Sequence, residues 1–382
     1  MQIEVQGEVK PGFEPVKTAF TNLWQNIEVG ASLCVYHQGR KVVDLWGGFR
    51  DREMTDPWTQ DTLVNVYSTT KGPASLAIAI LFDEGKIDYN ERVATYWPEF
   101  GAEGKQDVTV AQLLSHQAGL CGVETELTVE DLYDWDKMVN LLAAQKPLWQ
   151  PGAAAGYHAV TWGYFPGELV RRITGKTLGQ YFREKVAAPL NAEFYIGLPD
   201  SEMDRVATMI GPNHARIQPE EPADMEMPEF YPIALLNPSI GPYKHASSYA
   251  WRKAEIAAAN GQANARGIAT IYGALAMNGQ LNDTAIVSNK AIDEATQLEV
   301  DNQIDLVTGR VMRRGRGFML NTEQAYGPNP DAFGHAGAGG SLGFADRQAG
   351  IGFGYAMNQM QSDVSATPRS KILADAVYSC LE

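Results

Sequence analysis

"NVYSTTKGPAS", Asn65 to Ser75, sets a serine and a lysine three residues apart where a helix begins. An α-helix turns once in about 3.6 residues, so side chains at i and i+3 share a face and Lys71 can reach the Ser68 hydroxyl. The next segment, "LAIAILF" from Leu76 to Phe82, is apolar on nearly every side. That predicts a helix buried all round, with Gly85 as its C-terminal stop. Ser68 then lies at or beside a helix N-terminus, where free N–H groups and the positive dipole end favour a developing anion. The bland alternative is a polar N-cap. Fourteen serines and fourteen lysines give roughly 0.5 chance matches to S-x-x-K in this chain, so the motif alone is weak, although it occurs once. A lysine in the first turn faces the dipole unfavourably, which a purely structural design avoids, and this tilts the balance toward chemistry.

Outward from this helix, the chain has strands at both ends and helices between. "FEPVKTAFTNLWQNI" places Val16, Phe20, Leu23 and Ile27 on one helical stripe, and "GASLCVYHQGRKVVDLWGGF" reads as two strands around a turn at Gln38-Gly39. From about 90 to 210 the pattern is mostly helical. A proline-rich stretch from 211 to 249 carries an acidic cluster (Glu220, Glu221, Asp224, Glu226, Glu229) and reads as a long ordered excursion or lid. "NARGIATIYGALAMNGQL" resumes the helical period, "RGRGFMLN" and "QAGIGFGYAMN" read as strands, and "PRSKILADAVYSCL" as a closing amphipathic helix. The expectation is an α+β fold: one sheet built from both chain ends and flanked by helices, with an inserted, mostly helical domain. Residues 1–75 and 265–382 form the sheet domain, 76–264 the helical one with its excursion at about 211–249, and the active site lies between them.

With 382 residues, 45% of them hydrophobic and 20% charged, the chain can bury a large core. A formal net charge of −15 repels phosphate backbones and anionic lipid, which argues against nucleic-acid or membrane-surface partners. Cys34, Cys121 and Cys380 are far apart and suit a reducing compartment better than a disulfide framework. No signal-peptide pattern and no apolar run of about 18 residues is visible, so a soluble cytoplasmic protein is expected. H-E-x-x-H, Cys-x-x-Cys and nucleotide-loop spacings are missing, so neither a metal nor a cofactor is expected.

A rival serine must be weighed. "GGSLG", Gly339 to Gly343, matches the G-x-S-x-G elbow of α/β-hydrolases, in which acid and then histidine follow the serine along the chain. The histidines stand at 37, 116, 158, 214, 245 and 335, and none follows Ser341. These glycines read as a tight strand approach, and Ser341 as a decoy.

Four further segments, in order, resemble the serine β-lactamase and penicillin-binding-protein fold family in its class C-like branch: "VTVAQLLSHQAGL", "PGAAAGYHAVTWGYFPGELVRRITGKTLGQYFREKVAAPL", "NARGIATIYGALAMNG" and "FGHAGAGGS". With S-x-x-K, the resemblance covers nearly the whole chain. It implies an antiparallel sheet, Ser68 as nucleophile, Tyr157 as the active-site tyrosine, and His335-Ala336-Gly337 at the position of the K-T-G strand. It also implies an oxyanion hole made by the N–H groups of Ser68 and Ala338, with His335 and Gly337 toward the substrate. Two departures stand out. Ala159 replaces the asparagine of Tyr-x-Asn, and His335 replaces the lysine of K-T-G; a largely neutral imidazole is a poorer anchor for a carboxylate. Both changes resemble the family VIII carboxylesterases.

The expected activity is therefore hydrolysis of a small-molecule ester, of short to medium chain, through an acyl-enzyme on Ser68. Lys71 and Tyr157 between them act as general base and acid. Either a neutral Lys71 takes the serine proton, or a charged Lys71 stabilises a tyrosinate at Tyr157. Rivals on the same serine are a β-lactamase, a D-Ala carboxypeptidase and an acyltransferase; a silent binding or sensor protein would have no use for all three groups. His116 and His158 read as packing or hydrogen-bonding residues, and Trp149, Trp162 and Trp251 as core. The Met225–Met227 pair reads as part of a solvated loop.

Overall fold

The computed structural model describes residues 3–25, 28–212, 227–241, 243–361 and 368–381. Three strands come from the first fifty residues: β1 (Gln6–Val9), β2 (Gly30–His37) and β3 (Arg40–Gly48). Six come from the other end: β4 (Val300–Ile304), β5 (Val311–Arg314), β6 (Met319–Leu320), β7 (Phe333–Ala336), β8 (Leu342–Asp346) and β9 (Ile351–Met357). Among the described residues these nine form one antiparallel sheet in the order β1-β3-β2-β9-β8-β7-β6-β5-β4. The β2–β3 hairpin turns at Gln38-Gly39 with φ of 50° and 72°, and two positive φ angles in a two-residue loop give the twist that antiparallel strands prefer. The two chain ends meet where β9 pairs with β2, from Ile351 opposite His37 to Met357 opposite Ala31.

Helices cover both faces. Gly343, Gly352 and Gly354 bring α4 (Ala265–Ala276) close on one face: a Cβ at Gly352 would lie 2.2 Å from the Gly273 nitrogen. On the opposite face, Phe353 and Tyr355 are fully buried. There α1 (Glu14–Leu23) and α5 (Pro368–Tyr378) pack together, and Arg369 of α5 forms a fully buried ion pair with Glu28 at 2.9 Å. Helix α1 buries Val16, Phe20 and Leu23, the i, i+4, i+7 stripe of its sequence; Ile27, the fourth residue of that stripe, lies outside the described residues.

Between the two sets of strands run α2 (Lys71–Asp83) and α3 (Tyr164–Thr174). Every residue of α2 from Lys71 to Leu81 is buried, as its continuous apolar run requires. The helix ends where Gly85 (φ 67°) donates to Phe82 O and Lys86 to Leu81 O, both at 2.9 Å, a Schellman pair that satisfies the last carbonyls. The helices of 90–210 are shorter than the sequence pattern. "VTVAQLLSHQAGL" yields Val110–Leu114, opened by a Thr109–Gln112 capping box and stopped before His116, whose φ is 67°. "YFPGELVRRITGKTLGQYF" breaks at left-handed Gly175 and restarts at Leu178 behind a second capping box. The edge strand β4, "VDNQI", has an exposed face and lacks the apolar signature of its neighbours.

Of the excursion, the structure describes residues 211–212, 227–241 and 243–249. Tyr231–Leu235 is a short helix, and Asn237 ties the segment down by donating to Val123 O and Thr125 O at 2.8 Å each and accepting from Leu127 N at 2.9 Å. Met225, Glu220, Glu221, Asp224 and Glu226 lie outside the described residues, and Met227 is exposed. Among the described residues no helix is long and apolar enough to cross a membrane.

Candidate active site

Ser68 opens a single 3₁₀ turn, Ser68–Thr70, that runs into α2 at Lys71. The residue before it, Tyr67, has φ 44° and ψ −129°, outside the regions a side-chain-bearing residue prefers. The turn is clamped in this shape. Val66 N–H donates to Gly261 O, and Thr70 Oγ1 accepts from Gly261 N–H, both at 2.9 Å. The Ser68 hydroxyl caps nothing. It lies 2.7 Å from Tyr157 OH and 3.2 Å from Lys71 Nζ.

Lys71 is fully buried, and its other two contacts are backbone carbonyls, Ala159 O at 2.8 Å and Ala258 O at 3.0 Å. Its ammonium form is penalised first by burial and then by the Arg314 guanidinium, so its pKa lies well below the ordinary lysine value. Tyr157 packs beside it, with Nζ 4.7 Å from the ring centre. Burial pushes the Tyr157 phenol above its ordinary pKa, against smaller opposing effects of the Ser68 hydrogen bond and Arg314. Position 159, where the family pattern has asparagine, contributes its main-chain oxygen and no side-chain group.

Arg314 was not legible in the sequence. It is buried at the end of β5 and paired with Asp305, whose Oδ1 also accepts from Val307 N at 2.9 Å and Thr308 N at 2.7 Å. Burial raises the Asp305 carboxyl, but Arg314, with smaller help from the Thr308 and Tyr157 N–H groups, outweighs that and holds it below the usual range. The turn packs directly on the tyrosine segment: Leu306 N–H donates to Ala155 O at 3.0 Å, and Val307 lies in the same apolar cluster as Tyr157. Nothing in "VMRRGRGF" separates Arg314 from Arg313 and Arg316, which pair with Asp301 and with Glu294 and Glu299.

His335 is buried on β7, its ring 6.1 Å from that of Tyr157. Its Nδ1 lies 2.6 Å from Ala336 O, which places the ring proton on Nδ1. Burial, then Lys71 and Arg314, push its pKa down to about 3, so the imidazole is neutral. Gly337 follows, where a Cβ would lie 2.2 Å from both Val66 O and Ser341 Oγ. The close approach that demands glycine here is thus to the turn that carries Ser68. Ala338, half-buried, is the next residue. Ser341 is buried and hydrogen-bonded to that same turn.

His158 donates from Nδ1 to Gly156 O at 2.6 Å and accepts from Leu120 N–H at 3.0 Å, while its own N–H donates to His116 Nδ1 at 2.9 Å. Burial keeps both imidazoles neutral, with His158 pushed down to about 3. They brace the loop that presents Tyr157. Trp162 and Trp251 are fully buried, but Trp149 is only half-buried and its ring lies tilted against Phe230 of the excursion, 5.2 Å between centres.

The family model described as Beta-lactamase matches residues 16–378. Esterase/beta-lactamase LipL of Mycobacterium tuberculosis is 33% identical over 95% of this chain and 85% of its own length. A solved structure of a family VIII carboxylesterase is 51% identical, covers 99% of this chain and 100% of that one, and superposes with a TM-score of 0.92. A penicillin-binding protein homologue from Caulobacter crescentus is 39% identical over 99% of this chain and 100% of its own, with a TM-score of 0.89. The family match runs from α1 to the end of α5, and the chain belongs to the beta-lactamase family.

Proposed function

We infer that the protein is a serine carboxylesterase that hydrolyses uncharged small-molecule esters of short to medium chain through an acyl-enzyme on Ser68. The reacting carbonyl sits between the sheet region (1–75 and 265–382) and the helical region (76–264). One observation carries this reading: Ser68 Oγ is within hydrogen-bond reach of Lys71 Nζ and Tyr157 OH at once, while the lysine's remaining partners are both carbonyls. A neutral amine has two hydrogens and one lone pair. Ala159 O and Ala258 O take the hydrogens, and the lone pair is left for the serine proton. Ser68 in turn accepts from the Tyr157 phenol.

Lys71 takes the serine proton as Oγ adds to the ester carbonyl. The N–H groups of Ser68 and Ala338 hold the resulting oxyanion. Tyr157, kept protonated by its burial, gives its hydrogen to the leaving alkoxide, and the proton on Lys71 replaces it. Water then repeats the sequence on the acyl-enzyme and releases the acid. The direction of the Lys71 and Tyr157 shifts favours the neutral-lysine route over a tyrosinate.

The substrate end of the site supports esters over β-lactams. A neutral His335 stands where a lysine would attract the carboxylate of a penicillin or cephalosporin. The dual description of LipL keeps weak β-lactam turnover as the second reading. Nitrophenyl esters from acetate to octanoate, assayed beside a chromogenic cephalosporin with wild type and Ser68→Ala, test both. Ester turnover lost in Ser68→Ala, with a fluorophosphonate adduct on the Ser68 peptide of the wild type, is the expected result. Undiminished turnover in Ser68→Ala sinks the esterase mechanism, and efficient cephalosporin hydrolysis assigns the protein to the lactamases.

A further inference from the structure

The serine that mimics a nucleophile elbow has a different task. We propose that Ser341 is a positioning residue, which sets the separation of the two oxyanion donors by tying the Gly337–Ser341 loop to the turn that carries Ser68. This rests on the acyl-enzyme reading above.

The Ser341 side chain is 1% exposed. Its hydroxyl donates to Val66 O at 2.8 Å and, with its one hydrogen so used, accepts from Thr69 Oγ1 at 3.0 Å. Val66 and Thr69 bracket Ser68 on the chain, so one hydroxyl grips the nucleophile turn on both sides. The same residue closes its own loop: Gly337 N–H donates to Ser341 O at 2.8 Å, and Gly340 N–H to Gly337 O at 3.0 Å. Ala338 is held inside this closed turn. With Gly337 packed against Val66 O and Ser341 Oγ, the three pieces are in contact and no side chain fits between them.

The far side of the loop is anchored separately. Arg369 donates to Gly339 O and to Gln359 O, and Gln361 N–H donates to Gly339 O at 3.0 Å. The buried Glu28 carboxylate holds the same guanidinium. The loop is therefore fixed to the body of the sheet by Arg369 and to the reacting serine by Ser341. Loss of the second tie lets the Ala338 N–H drift relative to the Ser68 N–H. A donor serves an oxyanion only within about 2.7–3.1 Å, so a shift of a fraction of an ångström is felt in the transition state and hardly in substrate binding.

The test is kinetic. Ser341→Ala is expected to lower kcat for nitrophenyl butyrate about tenfold with KM changed less than about twofold. Affinity for an alkyl trifluoromethyl ketone, which adds to the Ser68 hydroxyl and forms a tetrahedral oxyanion, should fall by the same factor. A serine that merely fills a core position would not weaken the ketone selectively. If Ser341→Ala melts before it can be assayed, Thr69→Val removes the other hydroxyl partner and carries the same readout, with a smaller loss of about threefold. Wild-type kcat in both variants, or a lower kcat with unchanged ketone affinity, overturns the assignment while an inactive Ser68→Ala leaves the esterase reading intact. Activity that persists in Ser68→Ala overturns the nucleophile and this role with it.

Discussion

Tyr157 donates its phenolic hydrogen to Ser68 Oγ across 2.7 Å, although 89 residues separate the two along the chain. The ring is held by His116 at 5.2 Å and by the Lys71 side chain, so the aromatic body and the hydroxyl have separable roles. Tyr157→Phe keeps the body. Its kcat/KM for nitrophenyl esters should drop about 10²- to 10⁴-fold, the usual worth of a positioned acid–base group, while the melting temperature stays within a few degrees. Activity within threefold of wild type would remove Tyr157 from the mechanism.

Lys71 gives a pH signature in stability. Its folded-state pKa is depressed, so between that value and the free value of about 10.4 the unfolded chain binds a proton that the folded chain does not. Folded wild type therefore gains stability as pH rises through this window, by at most about 1.4 kcal/mol per unit. Lys71→Met abolishes the gain. It also strips a donor from Ala159 O and Ala258 O, but that loss is the same at every pH. Denaturant titrations at pH 7, 8, 9 and 10 should show the wild type improving relative to the variant. Parallel curves would mean that the lysine is charged in the fold, and esterase activity in Lys71→Met would exclude it as base.

Arg314 is expected to set where the acid limb of the rate profile falls, because its charge adds to burial in lowering the Lys71 pKa. Deleting it alone strands the buried Asp305 charge, which costs about 3–5 kcal/mol, so the informative variant is the pair Arg314→Met with Asp305→Asn. Without the guanidinium, the Lys71 amine holds its proton more tightly. The acid limb of kcat/KM should move to higher pH, with activity recovered at alkaline pH. A pH profile that coincides with wild type would show that burial alone lowers the lysine.

His335 is expected to be silent between pH 5 and 8. With its pKa pushed down to about 3 by burial, Lys71 and Arg314, the imidazole carries no charge change in that range. Its Cε1–H resonance, assigned by loss in His335→Gln, should not move on titration from pH 8 to pH 5. A transition near 6.5 would restore it as an anion receptor and reopen the lactamase reading.

Much of the architecture could be read from residue order. The all-apolar run after Lys71 could bury itself only as a central helix, Gln38-Gly39 could close only a tight hairpin, and the S-x-x-K, Tyr157 and His-Ala-Gly segments gave the family. What escaped depends on side-chain pairing and on main-chain atoms. Arg314 is buried by pairing with Asp305 of the β4–β5 turn, and residue order alone does not say which of three neighbouring arginines meets that carboxylate. The two acceptors of Lys71 are carbonyl oxygens, which every residue owns, so Ala159 and Ala258 carry no mark of their use. Gly337 was placed toward the substrate by resemblance alone, and nothing in the residue order showed that a Cβ there would also collide with Val66 O and Ser341 Oγ.

The pairing of β9 with β2 has a consequence for biosynthesis. Gly30 and Asn358 are hydrogen-bonded yet 328 residues apart, so the hairpin made first on the ribosome waits for its central neighbour. At about 5–20 residues per second that delay is roughly 16 to 65 s. Through it, the nascent chain carries β2 with an open edge and a helix of unsheltered leucines and isoleucines. Yield in the cell should therefore respond to holdase chaperones and to growth temperature, even for variants whose finished fold is as stable as the wild type.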